Sequence, residues 1–302
     1  MFSGSITALI TPFRDGKLDE AAFQALVDWQ IGEGTHGLVP CGTTGEASML
    51  THDEHRRVVE LCVEAAAGRV PVIAGAGSNY TDRGIELARD MKNAGADALL
   101  VVAPYYVKPN QEGLYQHFRA IHDATDLPLV LYNIPGRCAV DVSVETMVRL
   151  QADLERFVAI KDATGDLARV AAQRDALGKD FCQLSGEDMT ALAYNAMGGR
   201  GCISVTANVA PRLCAEMQEA TLKGDMARAL ELQDQLVPLH AALFADASPG
   251  PVKFAASLLG LCAEDLRLPM TPPGKRIKAV IAAAVAHAGL QPPSLKSAAL
   301  QA

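Results

Sequence analysis

A lysine closing an apolar run has the most chemistry to offer in this sequence. Lys161 follows Phe157-Val158-Ala159-Ile160 and precedes Asp162-Ala163-Thr164-Gly165. If that run is a strand, the amine at its end can point into the protein, where its unprotonated form attacks a carbonyl carbon. The competing use is structural, an ion pair with Asp162 or another carboxylate. Two phenols stand in comparable places: Tyr132 ends Leu127-Pro128-Leu129-Val130-Leu131, and Tyr106 lies just past Ala103-Pro104. Imine formation needs several proton transfers at one carbon, and a phenol beside an amine and a hydroxyl can carry them. Packing is the alternative for either ring. Arg137, in Tyr132-Asn133-Ile134-Pro135-Gly136-Arg137, carries a donor fork suited to a carboxylate, or else pairs with Asp141. Gly42-Thr43-Thr44-Gly45-Glu46 offers two hydroxyls and turn N–H groups to an anionic ligand, unless it is an ordinary strand-to-helix turn. His52 and His55 have no carboxylate or cysteine set completing a metal site, so no metal is expected and both are placed on a helix surface.

To act together, these side chains must converge from distant parts of the chain. Short Val/Ile/Leu-rich runs alternate with amphipathic segments, the pattern of repeated β-α units. The predicted strands are Ser5–Phe13, His36–Cys41, Val70–Ala76, Ala98–Ala103, Leu127–Ile134, Phe157–Asp162, Phe181–Ser185 and Cys202–Val205. Helical spacing fills the intervals, as in Phe23, Leu26, Val27 and Ile31 or Leu114, Phe118 and Ile121. Thr51 and Glu54 have the spacing of a capping box, and glycines such as Gly34 and Gly178 sit where helices should end. Eight successive units predict a closed (β/α)8 TIM barrel, with an open doubly wound sheet as the alternative. Strand signal stops after Gly224, and Leu232, Leu236, Leu239 and Leu243 then recur on one helical face. The expected organisation is an α/β barrel over residues 1–224 with a C-terminal helical domain over 225–302. In such barrels the active site lies at the C-terminal ends of the strands, where Lys161, Tyr132 and the residues around Thr44 all fall.

Composition narrows the partners. A hydrophobic fraction of 49% with 21% charged residues suits a globular chain with a large core. The formal net charge of -8 argues against a nucleic-acid footprint. No apolar run approaches the roughly 20 residues needed to span a bilayer, and no signal-type N-terminus is evident, so no membrane partner and a cytoplasmic location are expected. Seven scattered cysteines without C-x-x-C spacing fit a reducing compartment.

In order and spacing, the Thr43-Thr44, Pro104-Tyr105-Tyr106, Tyr132–Arg137 and Lys161–Gly165 motifs resemble the dihydrodipicolinate synthase/N-acetylneuraminate lyase family. The similarity continues through Leu184-Ser185-Gly186-Glu187-Asp188, Ile203-Ser204-Val205-Thr206-Ala207-Asn208 and Leu268-Pro269-Met270-Thr271-Pro272, over nearly the whole chain. The resemblance implies condensation of pyruvate with L-aspartate-4-semialdehyde to 4-hydroxy-tetrahydrodipicolinate, the step that opens the diaminopimelate route to lysine, with no cofactor. It implies that Lys161 carries the pyruvate imine and that Tyr132, Thr44 and Tyr106 relay protons, Tyr106 reaching across a dimer interface within a homotetramer, a dimer of dimers. By the same resemblance Thr43 and Thr44 contact the pyruvate carboxylate, Arg137 holds the semialdehyde carboxylate, and Gly186 and Ile203 line the pocket. Lysine-inhibited relatives bind their effector at a dimer-interface site that would here use Ser48, His52, His55, Asn79 and Tyr105. Arg83 stands where an acidic residue would meet the effector's ammonium group, so weak or absent inhibition is expected. Within the same family, a pyruvate aldolase or lyase acting on a sugar acid or hydroxy-oxo acid is the alternative activity. An idle relative that only binds pyruvate is a more distant one.

Overall fold

The structure, a computed structural model, describes residues 2–293. Its barrel strands are β1 (Gly4–Ala8), β2 (Gly37–Val39), β3 (Ile73–Gly75), β4 (Ala98–Val102), β5 (Leu129–Asn133), β6 (Phe157–Asp162), β7 (Cys182–Ser185) and β8 (Gly201–Ser204). All pairings between them are parallel, in the order β2-β1-β8-β7-β6-β5-β4-β3. A parallel bridge from Leu38 to Val72 joins the two ends, closing the sheet into the expected barrel. The helices outside it are α1 (Glu20–Gly32), α2 (His52–Ala66), α3 (Thr81–Asn93), α4 (Gln111–Asp123), α5 (Val144–Asp153), α6 (Leu167–Leu177), α7 (Ala191–Ala196) and α8 (Pro211–Lys223). A one-turn helix, Pro135–Cys138, follows β5.

Each predicted strand is present. The first is shorter than expected: it stops at Ala8, and Pro12, lacking an N–H, interrupts the run before Phe13. Phe13 pairs instead with Leu18 in a small antiparallel hairpin. Thr51 and Glu54 form the predicted capping box at the start of α2, each side chain bonding the other's backbone N–H. Gly178 ends α6 at φ 93, a conformation that favours a residue without Cβ.

Along each strand the side chains alternate between two cores. Ile6, Val39, Leu100, Val130, Ala159, Leu184 and Ile203 pack together inside the barrel, while Leu38, Leu99, Val101, Leu131 and Ile160 face the helices. In β6 the phase is set by a bulge: Phe157 pairs with Leu129 and Ala159 with Val130, leaving Val158 unmatched.

After Gly224 (φ 80) the chain is helical, through α9 (Met226–Leu243), α10 (Gly250–Leu258) and α11 (Lys275–His287). Leu232, Leu236, Leu239 and Leu243 are buried, as their spacing predicts. Residues 294–302 of the expected C-terminal domain, and Met1 of the barrel, lie outside the described residues. Among the described residues no helix is long and apolar enough to cross a membrane.

Arg267, between α10 and α11, grips Glu54 of α2 through two hydrogen bonds of 2.5 and 2.6 Å. That pairing holds the Glu54 carboxyl down at about 2. Burial between α3 and α4, where Thr81 Oγ1 meets its Nδ1 at 3.0 Å, pushes the His117 imidazole down to about 4. Both folded values lie below the unfolded ones, so both groups contribute stability at neutral pH that is lost on acidification. The urea midpoint should fall first as pH drops from about 6.5 toward 4, through His117, and again from about 4.5 toward 2, through Glu54. A midpoint that stays flat from pH 7 to pH 3 contradicts both assignments.

Candidate active site

Two residues beyond an inward-facing residue, a strand side chain faces inward again. Lys161 stands two beyond Ala159 and Tyr132 two beyond Val130, so both enter the barrel, and they are direct partners in the β5–β6 ladder. Lys161 is 6% exposed, and its Nζ lies 4.2 Å from the centroid of the Tyr132 ring. Among the described residues it has no carboxylate partner. Asp162 points the other way, toward the helix layer, where Arg169 stands 3.1 Å from it and Gln173 donates to it at 2.7 Å. The structural alternative for Lys161, an ion pair with its neighbour, is therefore not the one adopted. The amine stands against an aromatic ring in place of an ion pair.

Gly186 follows β7, two residues beyond the inward Leu184. A Cβ there would fall 2.7 Å from Ala163 Cβ and 3.1 Å from Lys161 Cε. The missing side chain leaves room for the lysine. Gly186→Ala should push on both Ala163 and Lys161, lowering stability by about 1–3 kcal/mol and slowing borohydride trapping of pyruvate by roughly 10- to 100-fold. Wild-type rates of borohydride trapping in that variant would remove this role. Ile203 is fully buried on β8, paired with Ile6, within the barrel's inner cluster.

A cavity of about 460 Å³ is lined by Thr43, Tyr132, Ile134 and Arg137 together with Ser48, His55, Arg83 and Tyr105. Tyr132 belongs both to this wall and to the contact with Lys161. Of the candidate substrate residues Thr43 and Arg137 share the space with Ser48, His55, Arg83 and Tyr105, while Lys161, Thr44, Gly186 and Ile203 are not on its wall. Arg137 is exposed on the turn that Pro135 begins, and the alternative pair with Asp141 does not form, since Asp141 is taken by Arg169 at 2.9 Å.

Thr44 is 5% exposed, in a loop held by its last residue. Glu46 adopts a left-handed conformation, φ 56, and is wholly buried; Lys253 of α10 donates to Glu46 Oε1 at 2.6 Å and the Arg267 N–H to Oε2 at 3.0 Å. Sequence reasoning missed Lys253. The signal was a lysine inside the apolar run Pro251-Val252-Lys253-Phe254-Ala255, on a helix with no evident polar face.

Tyr106, expected to act across a dimer interface, is 86% exposed, at φ 73, and absent from the cavity wall that Tyr105 helps to form. Other expectations need correction. His55 is not on a helix surface. It is 5% exposed and its Nε2 lies 2.7 Å from the Gly75 carbonyl oxygen, with burial lowering its imidazole pKa. His52 does face outward, paired with Asp90 of α3 at 3.0 Å. Asn79 is half-buried in the loop before α3 and does not reach the cavity wall. Arg83 does, with Glu86 3.0 Å from its guanidinium. All seven cysteines are free and buried, and burial pushes the Cys138 thiol, on the cavity wall, up to about 11.

Residues 1–288 match the family model of the dihydrodipicolinate synthetases. A 4-hydroxy-tetrahydrodipicolinate synthase of Rhodospirillum centenum is 64% identical over 96% of this chain and 99% of its own, and that of Parvibaculum lavamentivorans is 62% identical over the same shares. The dihydrodipicolinate synthase of Acinetobacter baumannii, solved in complex with pyruvate, is 44% identical and superposes with a TM-score of 0.93, covering 96% of this chain and 100% of that one. A likeness that runs the length of the barrel and includes the strand carrying Lys161 leaves one conclusion: the chain belongs to the dihydrodipicolinate synthetase family.

Proposed function

We propose that this protein condenses pyruvate with L-aspartate-4-semialdehyde to 4-hydroxy-tetrahydrodipicolinate, with Lys161 as the nucleophile and without a cofactor. The observation that carries the reading is the buried Lys161 amine, 4.2 Å from the Tyr132 ring centroid and without a carboxylate partner among the described residues, Tyr132 itself sharing a cavity wall with Arg137. Attack of the amine on the pyruvate ketone, with loss of water, gives an imine. Removal of a methyl proton then gives an enamine, which bonds to the semialdehyde's aldehyde carbon. The semialdehyde's own amine displaces Lys161 as the ring closes. Tyr132 and Thr44 would pass the protons, Thr43 and Thr44 would hold the pyruvate carboxylate, Arg137 would hold that of the semialdehyde, and Gly186 and Ile203 would shape the pocket.

Tyr106, projecting from its own chain, supports a partner's contribution to the relay, and the proposed assembly is a homotetramer in the cytoplasm. Turnover of the two substrates, coupled to the next reductase and followed by NADPH consumption, tests the assignment. Folded protein that traps pyruvate but does not consume the semialdehyde would move the activity to another pyruvate aldolase.

Three of the candidate effector residues, Ser48, His55 and Tyr105, line the cavity, and His52 and Asn79 do not. Ser48, His52, His55, Asn79 and Tyr105 are the candidate effector residues, and Arg83 presents a cation, partly neutralised by Glu86, toward any ammonium group bound there. Lysine should inhibit weakly or not at all. Inhibition at sub-millimolar lysine that disappears in Tyr105→Phe would overturn this.

A further inference from the structure

We infer that Arg169 is a positioning residue for this site, fixing from outside the barrel the two segments that carry Lys161 and Arg137; the inference rests on the function proposed above. The residues next to the two inward side chains, Asn133 after Tyr132 and Asp162 after Lys161, face the helix layer and are themselves ladder partners. Arg169, at the start of α6, meets Asp162 directly and Asn133 through Asp141. Its Nε is 3.1 Å from Asp162 Oδ2, its Nη1 donates to Asp141 Oδ2 at 2.9 Å, and its Nη2 donates to the Val142 carbonyl. Asp141 Oδ1 in turn accepts from Asn133 Nδ2 at 2.7 Å, and Asn133 Oδ1 accepts from the Val142 N–H at 3.1 Å.

A closed ring results: Asn133, Asp141, Arg169, Asp162, and back through the ladder. The turn bearing Arg137 begins and ends on members of that ring. Asp162 also orders the loop after Lys161, accepting from Thr164 N at 2.9 Å and Thr164 Oγ1 at 2.6 Å. The Asp162 and Arg169 side chains are 1% and 12% exposed, so solvent screens their attraction little. A planar fork holds two carboxylates on separate nitrogens at a fixed spacing, which a single ammonium on a flexible stem does not reproduce.

The test compares Arg169→Gln, Arg169→Lys and Asp141→Asn with Arg149→Gln, which breaks an exposed ion pair to Glu112 away from the site. Borohydride trapping reads the rate of pyruvate imine formation, steady-state turnover reads KM for each substrate, and thermal melting reads the fold. Arg169→Gln should slow imine formation by about tenfold and raise KM for the semialdehyde more than KM for pyruvate. Arg169→Lys should recover imine formation but not the semialdehyde KM, and Asp141→Asn should chiefly raise that KM. If Arg169→Gln does not fold, the other two variants carry the same split. Kinetic constants within about twofold of wild type, or no more affected than in Arg149→Gln, overturn the inference. Wild-type protein that traps pyruvate without using the semialdehyde refutes the proposed function instead, and the trapping rates alone then judge Arg169.

Discussion

Lys161→Ala should eliminate the borohydride-stable pyruvate adduct and lower turnover by at least about 10⁴-fold, on the order of 5.4 kcal/mol of transition-state stabilisation. The expectation is large because no neighbouring amine replaces the nucleophile at the inner face of β6: its ladder partners there are Tyr132 and Leu184. The same change should leave the melting temperature unchanged or slightly raised. Lys161 is buried without a carboxylate partner, so its removal strands no opposite charge and relieves the cost of holding an amine in an apolar layer. Intact mass after trapping and a thermal melt check both halves. A stable adduct in the variant would put the nucleophile elsewhere, and a large loss of stability would make Lys161 structural.

Lys253→Met should show the opposite balance, with a structural loss first and a functional loss following from it. Both members of the Lys253–Glu46 pair are inaccessible to solvent, and Lys253 also donates to the Asp265 carbonyl at 2.6 Å. Breaking a buried pair from one side leaves an uncompensated charge and costs about 3–5 kcal/mol. For a chain of this size that lowers the melting temperature by roughly 6–20 °C. Turnover should fall as well, because Glu46 closes the loop that holds Thr43 and Thr44. Replacing both residues, Glu46→Gln with Lys253→Met, should recover a substantial part of the loss, since no lone charge remains. Additive losses, or an unchanged melting temperature, would show that the pair contributes little.

This pair also marks where sequence reasoning stopped. The barrel and the strand-end positions of Lys161 and Tyr132 were legible because they rest on local patterns, apolar runs and helix-ending glycines, whereas Gly186 came only with the family resemblance. The hairpin at Phe13 was missed because the apolar run continues past Pro12, whose missing N–H breaks the ladder. His55 was misplaced because the pair with His52 drew attention from its register: Val58, Val59 and Cys62 follow it on the buried side of α2. The Lys253–Glu46 and Arg169–Asp162 contacts depend on which helix lies over which strand end, and no periodicity encodes that. The Lys253–Glu46 contact also ties the proposed C-terminal domain, 225–302, to the barrel domain, 1–224, so a boundary after Gly224 separates elements without separating their energetics. Tyr106 belongs with neither group, since a single chain leaves it in solvent.

The alternation of inner and outer side chains along β6 constrains how such a sequence can change in length. Between Ala159 and Asp162 each residue has a fixed side, and an inserted or deleted codon would turn Asp162 into the barrel in place of Lys161, exchanging an amine for a carboxylate. The unmatched Val158 lies upstream of that stretch. It is where the strand already accommodates an extra residue, so indels in this lineage should collect at the bulge and in the loops, while the last four positions of the strand keep their count.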